Sequence, residues 1–240
     1  MAQTCGVDMW SRLRSRLSDE VISTLVRRAA GVINAPDQQV FIKSGKDFFI
    51  GKSGQDNRDL LTAIHGSVWP EIRDLVSYQS PVVDHAILLI KGPGGSATNL
   101  HQDRPYWESR DPVPTIFSVW IALEAMTSEK GGLMLAQENE VPVAEISRFN
   151  AGTIMVHESI YQNLDDGFPI TIPDQVAKDM GINMELVVME AGEAVAFDSF
   201  EPHMAAPNAT GSPRLAMKIA YSEGADKNYP MCSTDELESD

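Results

Sequence analysis

The spacing of hydrophobic residues changes along the chain near residue 80. Upstream, apolar residues recur every three or four positions, as at Trp10, Leu13 and Leu17, which is the period of a helix with one buried face. Downstream, apolar residues form short runs between glycine- and proline-containing segments, which is typical of β-strands and turns. The pattern predicts a largely helical flank over 1–80 and a β-rich core over 81–224.

Individual elements follow from the same pattern. Helices are predicted over 1–34, 58–67 and 71–77, with Pro70 at the start of the last, and a hairpin is predicted to join 40–42 to 48–50. Many short strands favour a sandwich or barrel, so we expect a single domain over 1–240 that ends in a flexible acidic tail at 230–240. The strands predicted for the core are 86–90, 115–123, 133–135, 153–156, 185–188, 194–197 and 214–221.

The composition excludes several classes of partner. The 240 residues carry a formal charge of −15, which argues against binding to the phosphate backbone of a nucleic acid. No apolar run approaches the ~20 residues that cross a bilayer, and no apolar segment of a signal peptide follows the N-terminal arginines. Cys5 and Cys232 are too few for a disulfide framework. We therefore expect a cytoplasmic protein that acts on a small molecule, while the oligomeric state cannot be read from the pattern.

The strongest chemical signal is His101-Gln102-Asp103, just after a predicted strand. In an extended chain, side chains two residues apart point to the same face, so this imidazole and carboxylate can address one point in space. His203 follows the strand predicted at 194–197 and can supply a third group. Two imidazoles and a carboxylate form the facial triad of non-haem Fe(II) oxygenases. Eleven residues further on, Arg214 is suited to bidentate binding of a carboxylate, although a surface ion pair would also explain it.

Together these residues resemble the phytanoyl-CoA dioxygenase (PhyH) family of Fe(II)/2-oxoglutarate-dependent dioxygenases. The resemblance covers roughly 86–222, and it implies a mainly β fold with flanking helices, the double-stranded β-helix or cupin-like jelly roll. In such a fold, the strands between the two histidines close the barrel and bring them together. The resemblance rests on four blocks: 89–95 leading into His101 and Asp103, 118–123 followed by 131–133, 190–197, and His203 through Arg214 to Tyr221.

The resemblance also implies roles for individual residues. His101, Asp103 and His203 would be the catalytic metal ligands for Fe(II), and Arg214 would bind the distal carboxylate of 2-oxoglutarate. With O2 as the other co-substrate, such an enzyme couples oxidation of a C–H bond, usually hydroxylation, to decarboxylation of 2-oxoglutarate to succinate and CO2. Trp120 and Lys91 match positions near the co-substrate in relatives. The open alternatives are that Trp120 is only a core residue and that Lys91 does not contact the ligand.

Substrate-binding residues are predicted beside the ligand pair. Arg104, Tyr106, Trp107 and Arg110 form an aromatic and cationic group on a predicted loop, which suggests a polar or anionic substrate; a solvated loop is the alternative. Gln137 lies where relatives carry a Pro-Gly-Ser-His-like segment. This difference from the family pattern affects the prediction of the substrate, and Gln137 is one of the candidate substrate-binding residues. Two other functions stay open, a Zn-dependent enzyme on a similar barrel and a catalytically idle jelly-roll binding protein.

Overall fold

The computed structural model describes residues 10–33, 46–49, 55–73, 76, 78–108, 110–140, 154–159, 170–224 and 232–238. The helices in these ranges are α1 (Asp19–Ile33), α2 (Gln55–Ile72), α3 (Asp174–Asp179) and α4 (Thr234–Glu238). The strands are β1 (Trp10–Arg12), β2 (Lys46–Phe49), β3 (Pro81–Lys91), β4 (Thr98–His101), β5 (Ile116–Ala122), β6 (Leu133–Ala136), β7 (Glu158–Ser159), β8 (Ile170–Thr171), β9 (Met184–Leu186), β10 (Ala194–Asp198), β11 (His203–Ala205) and β12 (Arg214–Glu223). Among the described helices, none is long and apolar enough to cross a membrane.

Two antiparallel sheets enclose an apolar interior. The larger sheet has the strand order β1-β10-β5-β12-β3-β2, and the smaller has the order β4-β11-β6-β9. Leu133 and Leu135 of the smaller sheet share one buried cluster with Trp120, Val195 and Ala216 of the larger sheet. The interior therefore lies between the sheets, as in a jelly roll, and the predicted mainly β fold with flanking helices is confirmed.

Alternation along β5 assigns the two faces of the larger sheet. Phe117, Val119 and Ile121 point outward and pack in one cluster with Leu25 of α1 and Leu61 of α2. Full burial of such a side chain contributes roughly 1.5–3 kcal/mol, which explains why the helices cover this face. The residues between them in sequence point inward, toward the smaller sheet.

The strand β12 carries polar side chains into this interior. It lies between β3 and β5, and its register places Arg214 opposite Lys91 of β3 and Lys218 opposite Trp120 of β5. Residues directly opposite each other share a face, so all four side chains point between the sheets. A central strand thus sets the positions of the buried charges described below.

The N-terminal helix prediction is wrong for residues 10–18. Trp10 belongs to β1, an edge strand paired with β10, and its indole Nε1 donates a hydrogen bond to the Ala136 carbonyl at 2.7 Å. Leu13 and Leu17 continue along this sheet edge and are buried there. Their spacing matched a helical face only by coincidence. The helix α1 itself begins at Asp19, with the Ser18 hydroxyl accepting a hydrogen bond from the Val21 amide.

The two helices predicted at 58–67 and 71–77 form one helix, α2, with Pro70 inside its last turn. Pro70 is exposed, while Val68, Trp69 and Ile72 are buried against the larger sheet. Packing of these neighbours holds the turn in place despite the hydrogen bond that proline cannot make. Within the described residues β2 pairs with β3, and the other segment of the predicted hairpin, 40–42, lies outside them.

The prediction of a flexible tail is wrong for residues 232–238. The chain forms α4 here, with Leu237 buried in the cluster that α2 and the larger sheet share. The Cys232 carbonyl accepts a hydrogen bond from the Val83 amide at 3.0 Å, and the Thr234 hydroxyl donates to the Pro81 carbonyl at 3.2 Å. The strand predicted at 153–156 is not formed either, since the described residues 154–156 are irregular.

Candidate active site

Two histidines meet across neighbouring strands of the smaller sheet. His101 ends β4 and His203 begins β11, and the antiparallel register places them opposite each other. Their ring centroids lie 4.2 Å apart although 102 positions separate them in the chain. The sheet pairing thus brings the two imidazoles together, as the resemblance implied.

The carboxylate of Asp103 completes this group. Its Oδ1 lies 3.8 Å from Nε2 of His101 and 3.6 Å from Nε2 of His203. The three side chains are buried, and one ligand atom from each lies within 4.8 Å of the others. Two imidazole nitrogens and one carboxylate oxygen around a single point fit a divalent transition metal, and they form the donor set of a non-haem iron site.

Hydrogen bonds fix the orientation of both rings. Nδ1 of His101 donates to the Asn99 carbonyl at 2.7 Å, and Nδ1 of His203 donates to the Glu201 carbonyl at 3.0 Å. A carbonyl oxygen can only accept, so Nδ1 carries the proton in each ring and Nε2 presents its lone pair to the shared point. The backbone therefore orients both imidazoles as metal ligands.

The protonation states of the three groups suit metal binding. Burial, followed by the charges of the neighbouring groups, lowers the pKa of His101 to about 3, and burial also lowers the pKa of His203. Burial alone would raise the pKa of Asp103, but the positive charge of Lys218 and the two histidines hold it well below its usual range. At neutral pH both imidazoles are neutral and the carboxylate is ionised, which are the forms that bind metal ions.

Lys218 is a site residue that the sequence analysis missed. Its Nζ pairs with Oδ2 of Asp103, whereas Oδ1 makes the contacts with the histidine pair, and it lies 5.8 Å from the Trp107 ring centroid. A signal was present in the sequence, because Lys218 stands four residues after Arg214 in an otherwise apolar strand. Strand alternation places residues i and i+4 on one face, so both cations had to point the same way.

Gln102 is a second residue that the analysis passed over, although it separates the two ligands. It is fully buried, its side-chain oxygen accepts a hydrogen bond from the Met155 amide, and its side-chain nitrogen donates to the Phe200 carbonyl. Its own amide donates to Nε2 of His157 at 3.1 Å. Gln102 thus ties the ligand segment to two other loops and holds it in position.

A cationic pair, Arg214 and Lys91, lies further along the inner face of the larger sheet. Arg214 is buried on the inner face of β12, with its guanidinium 5.7 Å from the Trp120 ring centroid and its Nε donating to the Gly131 carbonyl at 3.2 Å. Lys91 lies opposite it and donates to the Ala206 carbonyl at 2.8 Å. Burial, followed by the charge of Arg214, lowers the pKa of Lys91 to about 7. Two buried cations on facing strands suit an anionic ligand.

The backbone around this cationic pair approaches closely. Gly131 has a positive φ of 78°, and a side-chain carbon at this position would lie 2.9 Å from the Ala206 carbonyl and 3.1 Å from the Lys91 side chain. Glycine suits this position because it tolerates a positive φ and has no side-chain carbon to clash with these neighbours. Buried Asn208 donates hydrogen bonds to the carbonyls of Lys91 and Gly92. These bonds fix the backbone on the Lys91 side of the cationic pair.

The predicted substrate residues take different positions around the triad. Tyr106 and Trp107 follow Asp103 directly, and the Tyr106 ring lies edge-on to His101 with centroids 6.4 Å apart. Arg104 and Arg110 are held by carboxylates, since Arg104 Nε pairs with Glu108 at 2.6 Å and Arg110 pairs with Asp84 at 2.5 Å. Tyr106 therefore lies beside the triad, while Arg104 and Arg110 each have a carboxylate partner.

Gln137 is not brought to the site. It is exposed in the short turn after β6, and its amide faces the carboxylate of Glu185. His85 packs against the aromatic pair, and its ring stacks on Trp107 with centroids 5.9 Å apart. A bulge in β3 leaves Asp84 without a strand partner, and its Oδ2 lies 2.8 Å from Nδ1 of His85.

The sequence of this chain matches the family model of phytanoyl-CoA dioxygenase (PhyH) over residues 55–216, which is more than half of its length. The chain belongs to the phytanoyl-CoA dioxygenase family. The matched range contains the triad, Lys91 and Arg214. The predicted class of dioxygenase, with Fe(II) and 2-oxoglutarate as its cofactor and co-substrate, agrees with this family and with the donor set of the triad.

One curated relative of this family member is a methylphosphonate hydroxylase from Gimesia maris (strain ATCC 29201 / DSM 8797 / 534-30). It is 29% identical over 136 residues, which make up 57% of this chain and 43% of the relative. The chain thus matches less than half the length of that protein. The similarity concerns a common region and leaves the substrate of this family member to be proposed separately.

Solved structures support the fold of this family member. The epimerase SnoN in complex with Fe3+, alpha ketoglutarate and nogalamycin RO is 14% identical with a TM-score of 0.61, and the alignment covers 90% of this chain and 80% of SnoN. EvdO2 from Micromonospora carbonacea var. aurantiaca with 2-oxoglutarate is 18% identical with a TM-score of 0.62, covering 91% and 87%. EctD from S. alaskensis with 2-oxoglutarate and 5-hydroxyectoine is 14% identical with a TM-score of 0.60, covering 94% and 75%.

Proposed function

We propose that this protein is a hydroxylase of a small anionic molecule that uses Fe(II), O2 and 2-oxoglutarate and releases succinate and CO2. The observation that carries this proposal is that the cationic pair lies on the same inner face of the larger sheet as Lys218, which contacts the triad. Arg214 stands four residues along β12 from Lys218, which contacts Asp103, and four residues of strand span about 13 Å. A five-carbon diacid held by the Arg214 side chain can reach a metal bound beside Asp103.

The residues of the chain have distinct parts in this reaction. A bound ferrous ion and 2-oxoglutarate would supply the oxidising chemistry. His101, Asp103 and His203 would hold the metal. Arg214 would bind the far carboxylate of 2-oxoglutarate, and the Trp120 indole lies beside its guanidinium.

The charges of the cavity favour an anionic substrate. A ferrous ion would add to the positive charge of Arg214 and Lys218. A substrate with a negative group is attracted to such a site. One relative is named a methylphosphonate hydroxylase, and methylphosphonate is a small anion.

A substrate series tests this proposal. Protein loaded anaerobically with Fe(II) is mixed with 2-oxoglutarate, O2 and one of a set of alkylphosphonates and carboxylates, each paired with its neutral methyl ester. We expect Fe(II)-dependent succinate formation, and a product that gains one oxygen atom, with at least one anion and not with its ester. Mass spectrometry of the reaction mixture measures both products.

Two variants separate the roles within this experiment. His203→Ala should abolish turnover and weaken iron binding, since it removes a metal ligand. Arg214→Ala should mainly raise the concentration of 2-oxoglutarate required. If only the neutral compounds stimulated succinate formation, the proposed class of anionic substrates would be wrong. Protein that contains only zinc after anaerobic purification and turns over without O2 would overturn the oxygenase proposal itself.

A further inference from the structure

The two oxygens of the Asp103 carboxylate have different partners. Oδ1 faces the Nε2 atoms of His101 and His203 at 3.8 and 3.6 Å. Oδ2 is paired with the ammonium group of Lys218. A metal ion at the centre of the triad therefore meets one carboxylate oxygen that is directed toward it and one that already binds a cation.

The number of oxygens that Asp103 gives to the metal decides what else can bind. Carboxylates bind metal ions through either one or both oxygens. An octahedral ion has six positions, and two histidines with a one-oxygen carboxylate leave three for the two oxygens of 2-oxoglutarate and for O2. A two-oxygen carboxylate leaves only two, so its second oxygen competes with the oxygens of 2-oxoglutarate for positions on the metal, and no position then remains for O2.

The surroundings of Lys218 keep its ammonium in place. It is buried on the inner face of β12, a central strand paired on both sides, so its backbone cannot shift without breaking the sheet. The Trp107 ring lies 5.8 Å from its Nζ and gives the cation a favourable apolar wall. Among the described residues, Asp103 is the carboxylate that it pairs with. A buried lysine is costly without such a partner, which indicates that the contact is specific.

We propose that Lys218 is a positioning residue that restricts Asp103 to one-oxygen coordination and thereby keeps a metal position open for 2-oxoglutarate. This inference rests on the proposed function, because it assumes that the triad binds Fe(II). It adds a role for a residue outside the three ligands. Loss of Lys218 can have two different effects. It either lowers the stability of the fold, or it leaves a metal site that binds its ion but binds 2-oxoglutarate weakly.

The variant Lys218→Met separates these outcomes, because methionine keeps most of the aliphatic length and removes the cation. Lys218→Arg retains a cation, and Lys178→Met removes an exposed lysine of α3 as a matched control. Each protein is loaded with Co(II) without O2, and the visible absorption of the metal is followed during titration with 2-oxoglutarate. Metal affinity and the midpoint of thermal unfolding are measured on the same samples.

For Lys218→Met we expect Co(II) to bind with an altered spectrum and 2-oxoglutarate to bind about 10- to 100-fold more weakly than in the wild type. Lys218→Arg should recover most of this loss, and Lys178→Met should match the wild type. Unchanged 2-oxoglutarate affinity and spectrum in Lys218→Met would overturn the inference. If that variant unfolds, Lys218→Gln takes its place, and wild-type 2-oxoglutarate affinity and spectrum in it would overturn the inference equally. Absence of metal-dependent 2-oxoglutarate binding in the wild type would instead refute the proposed function.

Discussion

At the scale of single residues, the cavity is defined by three buried cations on neighbouring strands of one sheet. Lys218 is paired with Asp103, whereas Arg214 and Lys91 make their hydrogen bonds to backbone carbonyls. We propose that Lys218 acts on the metal ligand Asp103, and that Arg214 and Lys91 bind the co-substrate.

The lowered pKa of Lys91 predicts a pH dependence for binding of 2-oxoglutarate. Its amine is protonated below about pH 7 and neutral above it, because burial and then the charge of Arg214 oppose the charged form. We expect the dissociation constant of 2-oxoglutarate to rise by up to about tenfold between about pH 6 and about pH 8. Isothermal titration of the metal-loaded protein without O2 measures it. Lys91→Met should bind more weakly at low pH and lose this dependence; an equal rise in the variant would contradict the assignment.

Some of these residues could be found from the sequence and others could not. A chemical pattern could be recognised from the sequence alone, because each residue type in it is suited to one ligand. This pattern is the spacing of His101, Asp103, His203 and Arg214. Lys218 was also accessible through strand alternation from Arg214. The anchoring of Arg104 and Arg110 by Glu108 and Asp84 was not, because it depends on how a loop and a bulge happen to meet.

At the scale of elements, helix α2 is joined to the central strand β12 through an aromatic cluster. The ring of His65 stacks on Trp69 with centroids 5.5 Å apart, and its Nδ1 lies 3.2 Å from the Tyr221 hydroxyl. Its Nε2 is buried and has no hydrogen-bond partner among the described residues. The interface therefore holds a neutral imidazole and has no group to stabilise a charged one.

This interface should weaken in mild acid. Burial lowers the pKa of His65 to about 4, whereas an unfolded chain binds the same proton near pH 6.5. Between these values the unfolded state binds more protons, so stability is complete above about pH 6.5 and falls by up to about 3 kcal/mol toward pH 4. Urea unfolding at several pH values measures the loss. His65→Phe should show a smaller loss over this window, and an identical loss would place the acid sensitivity elsewhere.

The elements were predicted to different extents, for physical reasons. Strands in the core were found because alternation and turn residues are local signals, as for β5, β6, β10 and β12. The edge strand β1 was read as a helix because burial at a sheet edge gave Trp10, Leu13 and Leu17 a helical spacing. Helix α2 continues through Pro70 because tertiary packing outweighs a local preference that the sequence displays.

At the scale of the whole molecule, an acidic protein encloses a cationic cavity. The formal charge of the chain is −15, yet Lys91, Arg214 and Lys218 are buried together between the sheets. The negative charge of the protein should therefore repel 2-oxoglutarate at long range, although the buried cations bind it at short range. This contrast makes recognition depend on entry into the cavity and disfavours anions that stay on the surface.

The contrast predicts an unusual response to salt. Salt screens the repulsion between the acidic surface and incoming 2-oxoglutarate, while the buried pair of Lys91 and Arg214 is screened much less. We expect kcat/KM for 2-oxoglutarate to rise a few-fold between about 20 mM and about 200 mM ionic strength. Succinate formation at low 2-oxoglutarate measures it, with potassium acetate and potassium chloride compared so that competition by chloride for the metal is detected. A steady fall of kcat/KM in both salts would mean that the field at the cavity entrance is positive, and that local cations govern the approach of the co-substrate as well as its binding.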